Sequence, residues 1–133
     1  MPDPGDRLPL AVRQLLDRLD SIAQLELLLL LQRTAPDEWT AEQLAAELRI
    51  EPAWALEQLA LLGARQLLAE SEPGSGRYRF DPATPALAKS VEALASCYSE
   101  LRVTVVGVLY SRPVDRIRVF ADAFRIRRED DDG

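Results

Sequence analysis

The stretch from Thr40 to Phe80, TAEQLAAELRIEPAWALEQLALLGARQLLAESEPGSGRYRF, limits the possible fold more than any other part of the chain. Thr40 is placed to cap a helix, and Gln43 three residues on completes a capping box. Ala41, Leu44, Ala45 and Leu48 then recur at helical spacing. Arg49-Ile50-Glu51 leaves room only for a turn, and Pro52 suits the first position of a second helix. Ala55, Leu59 and Leu62 form the inward stripe of that helix. After Leu67 the period changes to two, with Tyr78 and Phe80 on one side and Arg77 and Arg79 on the other. Pro73-Gly74-Ser75-Gly76 supplies the turn between two strands. Helix, turn, helix and hairpin in this order predict a winged helix-turn-helix: mostly α, with a small β-hairpin wing and helical extensions at both ends.

The flanking sequence extends this unit. Residues 1–7 read as a disordered lead, and Leu10, Val12, Leu15, Leu16 and Leu19 predict an amphipathic helix over 8–19. Ser21 starts the next helix, with Gln24 as its capping-box partner. That helix carries Leu27 to Leu31, a run apolar all round, so it is expected at the centre of the core. Residues 8–82 thus form the winged-helix domain. Thr84 and Pro85 restart a helix. From there Leu87, Val91, Leu94, Tyr98, Leu101, Val105 and Val108 advance by alternating steps of four and three, a heptad seam. A single helix from Pro85 to Tyr110 would be about 40 Å long at about 1.5 Å per residue, too long for so small a domain to cover. The seam therefore predicts a homodimer, with the competing possibility that the N-terminal helix folds back over it. After Ser111-Arg112-Pro113, the residues Val114, Ile117, Phe120, Ala121 and Phe124 share one helical face amid arginines. Region 83–128 is read as a helical dimerisation region in which Phe120 and Phe124 join the seam, and 129–133 as an acidic tail.

Composition narrows the function. At 133 residues the chain is expected to be one domain by length, with a net charge of −6 that argues against a general nucleic-acid or anionic-membrane coat. With one cysteine and no histidine, neither a Cys/His zinc site nor an internal disulfide can be built, and no metal or cofactor is expected. The acidic, proline-broken start lacks the features of a signal peptide, and no apolar run approaches a membrane span, so a cytoplasmic protein is expected. There is no GxSxG, no phosphate-binding glycine loop and no histidine, and the chain is not expected to be an enzyme.

The run WTAEQLAAELRIEPAWALEQLALLGARQLLAE followed by a hairpin resembles the MarR-like winged-helix regulators over roughly residues 21 to 80. Trp39 takes the place of the aromatic that precedes the first helix of the unit. LALLGARQLL matches the pattern of a leucine-rich helix end, a glycine and two apolar residues. The glycine expected at the helix end falls on Gln66, which must then close the helix, a left-handed backbone being one way to do so. The resemblance implies a dimeric transcriptional regulator that binds double-stranded DNA. It also implies oxidant sensing as one role for Cys97, whereas the residues around it give a small buried hydrophobe with no basic neighbour.

The second helix departs from that pattern. Recognition helices read base edges with Arg, Lys, Asn, Gln, Ser or Thr. If Ala55 and Leu59 face inward, then Ala53, Leu56, Glu57 and Ala60 face out. Between Ala41 and Leu62 the only base is Arg49, set against Glu42, Glu47, Glu51 and Glu57, a field that repels phosphate. The candidate DNA contacts are Arg49, Arg65, Arg77 and Arg79. Trp54, Leu56 and Ala60 form a candidate protein-contact surface. Two functions stay open: a regulator with wing-dominated DNA contact, or a winged-helix interaction module that has lost DNA binding.

Overall fold

The computed structural model describes residues 7–111. Six helices and a two-stranded antiparallel sheet follow one another as α1 (Leu10–Leu16), α2 (Ile22–Thr34), α3 (Ala41–Leu48), α4 (Pro52–Ala64), β1 (Leu68–Glu70), β2 (Tyr78–Phe80), α5 (Pro85–Glu100) and α6 (Arg102–Ser111). The expected C-terminal helix with Phe120 and Phe124, the N-terminal lead and the acidic tail lie outside the described residues.

Local chemistry sets the boundaries of the central unit. The Thr40 hydroxyl accepts from the Gln43 backbone N–H, and the Gln43 side chain accepts from that of Thr40. This reciprocal box satisfies two donors that the first turn of α3 would otherwise leave open. Pro52 opens α4, and Thr84 caps α5 ahead of Pro85. In the wing Leu68 lies opposite Phe80, Ala69 opposite Arg79 and Glu70 opposite Tyr78. Trp39 adds an isolated bridge to β2, exchanging both backbone hydrogen bonds with Tyr78 at 2.8 and 2.9 Å. Its indole N–H donates to the Thr34 hydroxyl at 3.0 Å, tying the end of α2 to the wing.

Every leucine from Leu27 to Leu31 is buried, so α2 runs through the centre of the core as expected. Around it one continuous cluster collects Val12, Leu15 and Leu16 of α1, Leu44 of α3, and Ala55, Leu59 and Leu62 of α4. Val91 and Leu94 of α5, with Val105 and Leu109 of α6, complete it. Each fully buried leucine contributes about 1.5–3 kcal/mol relative to an exposed one.

Three expectations are corrected. First, α1 is shorter than 8–19, and Leu10, placed on its inner face by periodicity, is 60% exposed. Pro9 starts the helix just before Leu10, and Leu19 reaches the core from beyond its end through tight turns at Arg18 and Leu19. Second, Ser21 does cap α2 by accepting from Gln24, but Gln24 does not return the bond to Ser21. Its side-chain oxygen accepts from the Asp20 N–H at 2.8 Å, and the residue is fully buried.

Third, the long helix over Pro85–Tyr110 is two helices. The backbone breaks at Leu101, with φ −127° and ψ 45°. Glu26 of α2 accepts from the Tyr98 hydroxyl at 2.9 Å and pairs with Arg102 at 3.3 Å, and the Arg102 guanidinium lies 5.2 Å from the centre of the Tyr98 ring. Both sides of the break are thereby pinned to α2. The bend turns Val105 and Leu109 into the core, and Leu109 rather than the seam residue Val108 is buried there. Val91, Leu94 and Val105 are fully buried, while Leu87, Tyr98, Leu101 and Val108 pack partly buried on the same core. Helix α1 lies along α5. The seam is thus covered largely within one chain, and its exposure, from which self-pairing was inferred, is not found.

Candidate nucleic-acid interface

A winged helix presents its second helix, the preceding turn and the wing to a nucleic acid. Here the turn is made by Arg49, whose backbone is left-handed at φ 57° and whose side chain is exposed. Helix α4 divides cleanly. Ala55, Gln58, Leu59 and Leu62 are buried, whereas Ala53, Leu56, Glu57 and Ala60 are exposed, as the spacing predicts. Leu56 is 50% exposed, and Trp54, expected fully outside, is half-buried at the edge of this face. No group on the outer face donates a hydrogen bond to a base edge, and Glu57 sits in its middle.

The polar chemistry of α4 points inward instead. Gln58 accepts from the Gln24 amide at 2.6 Å, a bond buried between α4 and α2. The Gln24 side-chain oxygen also accepts from Arg65 at 3.2 Å. Arg65 in turn donates to the Arg18 carbonyl and pairs with Asp20 at 3.1 Å. Arg65, singled out as a phosphate contact, is thus held by the α1–α2 connection. Sequence reasoning gave Gln24 only a capping role and overlooked Gln58. The signal was present, since Gln58 stands three residues after Ala55 and beside Leu59 on the inner stripe. An interior amide is retained there because it has partners; left without them it would be costly.

The end of α4 and the wing are shaped by backbone demands. Gln66 is left-handed at φ 65°, the conformation foreseen for the position where the resembling pattern has glycine. At the wing tip Gly74 and Gly76 have φ 82° and 72°, and the Glu70 carboxylate accepts from both of their N–H groups at 3.1 and 2.9 Å. That carboxylate organises the tip but also places negative charge inside it. Arg79 is partly covered, donating to Ser71 at 3.2 Å and pairing with Asp81 at 3.3 Å. Arg77 is exposed and, like Arg49, makes no ion pair among the described residues. An open cleft of about 410 Å³ beside Arg77 is lined by Glu38, Ser71, Glu72 and Ser75, acidic surroundings for an anion. Glu42, Glu47, Glu51 and Glu57 are all exposed on α3, the turn and α4.

Burial pushes the Cys97 thiol up, with Glu100 adding to the shift, so the thiolate is disfavoured. Among the described residues no cluster of His, Cys, Asp and Glu could hold a metal ion, and no helix is long and apolar enough to cross a membrane.

No protein-family model matches the chain, and no curated protein does. A solved structure is similar: MepR, a transcription regulator of the Staphylococcus aureus multidrug efflux pump MepA. The likeness covers 89% of this chain and 86% of that one, with a TM-score of 0.50 and 20% sequence identity. At that identity it speaks for architecture, and the architecture is the one implied by the run from Trp39 to Glu70. The chain has a winged helix-turn-helix fold, shared with that regulator.

Proposed function

We propose that the chain is a winged-helix transcriptional regulator, homodimeric and cytoplasmic, whose contact with duplex DNA is weak and carried by the wing and the turn rather than by α4. The observation behind this reading is the division of the arginines. Arg77 and Arg49 stand exposed at the wing tip and the turn, while Arg79 is paired and Arg65 is held inside. Exposed arginines beside phosphates supply sequence-independent affinity, and the acidic outer face of α4 subtracts from it. Such a protein binds DNA at low salt with little discrimination between sequences. Mobility shifts with genomic fragments at low ionic strength test this directly, and the absence of any shift removes the reading. No catalytic role is proposed.

The dimer in this proposal rests on a different surface from the seam. Leu10, Val103 and Tyr110 are 60%, 88% and 52% exposed on α1 and α6, and most soluble oligomers are two-fold homodimers. Sedimentation at monomer mass across the micromolar range would exclude it.

A second reading is favoured by the outer face of α4. Leu56 and the exposed Ala53 and Ala60, with Trp54 half-buried at the edge, put apolar side chains around Glu57 where base-reading side chains would stand. A winged helix that has lost DNA binding would use this surface to dock a protein. Failure of the wild-type protein to shift any duplex at low ionic strength would turn the balance toward it.

A further inference from the structure

We infer that Glu70 sets the strength of the wing's contact with phosphate, because its own carboxylate occupies an anion site formed by the backbone of the wing tip. This rests on the reading of the wing as the part that meets DNA, and names the residue that keeps the contact weak. The Gly74 N–H donates to Glu70 Oε1 at 3.1 Å and the Gly76 N–H to Oε2 at 2.9 Å, one donor for each oxygen. Turn N–H groups that converge in this way form the concavities in which backbones bind phosphates and carboxylates. Both donors belong to glycines with left-handed backbone, and no atom beyond the adjacent residues lies within 4 Å of a Cβ built on either. An outside anion could therefore come close to this backbone. Arg77 follows directly, with its side chain exposed.

Neither burial nor turn closure demands a carboxylate at this place. Gly74 is exposed, so water would satisfy its N–H at little cost. The hairpin end has bonds of its own, from the Ser71 N–H to the Arg77 carbonyl at 2.8 Å and from the Ser75 N–H to the Glu72 carbonyl at 2.9 Å. What Glu70 adds is charge. Hydrogen bonds to an ionised acceptor are roughly twice as strong as neutral ones, so an incoming phosphate meets donors already engaged. Glu70 makes no ion pair among the described residues, and its charge opposes that of Arg77. Glutamine at this position changes both features. Its amide presents one oxygen instead of two, so the glycine N–H groups no longer have one acceptor each, and the negative charge is gone.

The test is fluorescence anisotropy with labelled duplexes of unrelated sequence at low ionic strength, with the amide NMR signals of Gly74 and Gly76 followed in the same titrations. Full-length wild type is compared with Glu70→Gln, with Glu72→Gln, and with Glu70→Gln combined with Arg77→Ala. Glu72 is the control, since it is exposed beside Arg77 in the same cleft. Glu70→Gln is expected to bind every duplex several-fold more tightly, and its two glycine signals move on adding duplex while those of wild type stay in place. Glu72→Gln gains clearly less. Adding Arg77→Ala takes away most of the gain, because groups that hold one phosphate are coupled. An equal gain in Glu70→Gln and Glu72→Gln overturns the inference, since charge alone then accounts for it. Wild-type binding that Glu70→Gln leaves unchanged also overturns it and leaves the wing reading standing. Weaker binding with collapsed glycine signals makes Glu70 a brace of the wing and overturns it too. Binding by Glu70→Gln where wild type binds no duplex supports the inference while removing the reading of the native wing, and binding by neither removes both.

Discussion

The two sides of α4 follow opposite rules. Its inner side combines Ala55, Leu59 and Leu62 with a buried amide pair, Gln58 and Gln24, that Arg65 and Asp20 complete. Its outer side holds Leu56, the alanines Ala53, Ala60 and Ala64, and Glu57, and none of these side chains is a hydrogen-bond donor. In a winged helix that reads DNA the outer side would carry the specific polar chemistry. Here that chemistry lies between α4 and α2, where it fixes the position of the helix. Presence of the fold therefore says little about what the helix touches, because fold and site are set by different faces of the same thirteen residues.

The comparison can be broken most forcefully from inside. Leu59→Ala removes a fully buried side chain next to the amide pair and is expected to cost about 2–5 kcal/mol, enough to unfold much of the population at 37 °C. Chemical denaturation followed by far-UV circular dichroism measures it. Gln24→Leu strips partners from Gln58 and Arg65 at once, at an expected cost of about 1–3 kcal/mol. Adding Gln58→Leu recovers part of that loss, since removing both amides leaves fewer polar groups stranded. No recovery in the double variant would mean that Arg65 and Asp20, rather than the amides, carry the network.

Gln66→Gly, at the junction of α4 and the wing, relieves a left-handed backbone and should raise stability by up to about 1 kcal/mol. A fall in melting temperature would show that the side chain of Gln66 outweighs its backbone strain. Least of all, Leu56→Ser on the outer side should change global stability by no more than about 0.5 kcal/mol. A loss comparable with Leu59→Ala would erase the distinction between the two sides.

Much of the inner architecture is legible in the residues, because it is specified locally. The Thr40–Gln43 box, Pro52 at the start of α4, the glycines of the wing and the left-handed Gln66 each depend on neighbours within a few positions. What escapes a linear reading depends on distant partners. The heptad seam continues in phase through Leu101, yet the helix breaks there, where Tyr98 and Arg102 on either side meet Glu26, which lies 72 residues before Tyr98 in the chain. Arg65, Arg77 and Arg79 look alike in sequence. Only tertiary contacts separate the one held by Asp20 from the one paired with Asp81 and the one left exposed at the wing tip. The acidic, reader-free outer face of α4, by contrast, is evident from composition and spacing alone.

The most direct test of a wing-borne, non-reading contact is the salt dependence of binding to a labelled duplex, measured by fluorescence anisotropy for wild type, Arg77→Ala and Leu56→Ala. Wild-type affinity should fall steeply with salt, with nearly equal values for unrelated sequences. Arg77→Ala should lower affinity for all of them alike and reduce the log–log salt slope by about one, while Leu56→Ala leaves slope and sequence preference unchanged. A salt slope unaffected by Arg77→Ala, together with a sequence preference that Leu56→Ala abolishes, would contradict this and place the reading of DNA on α4.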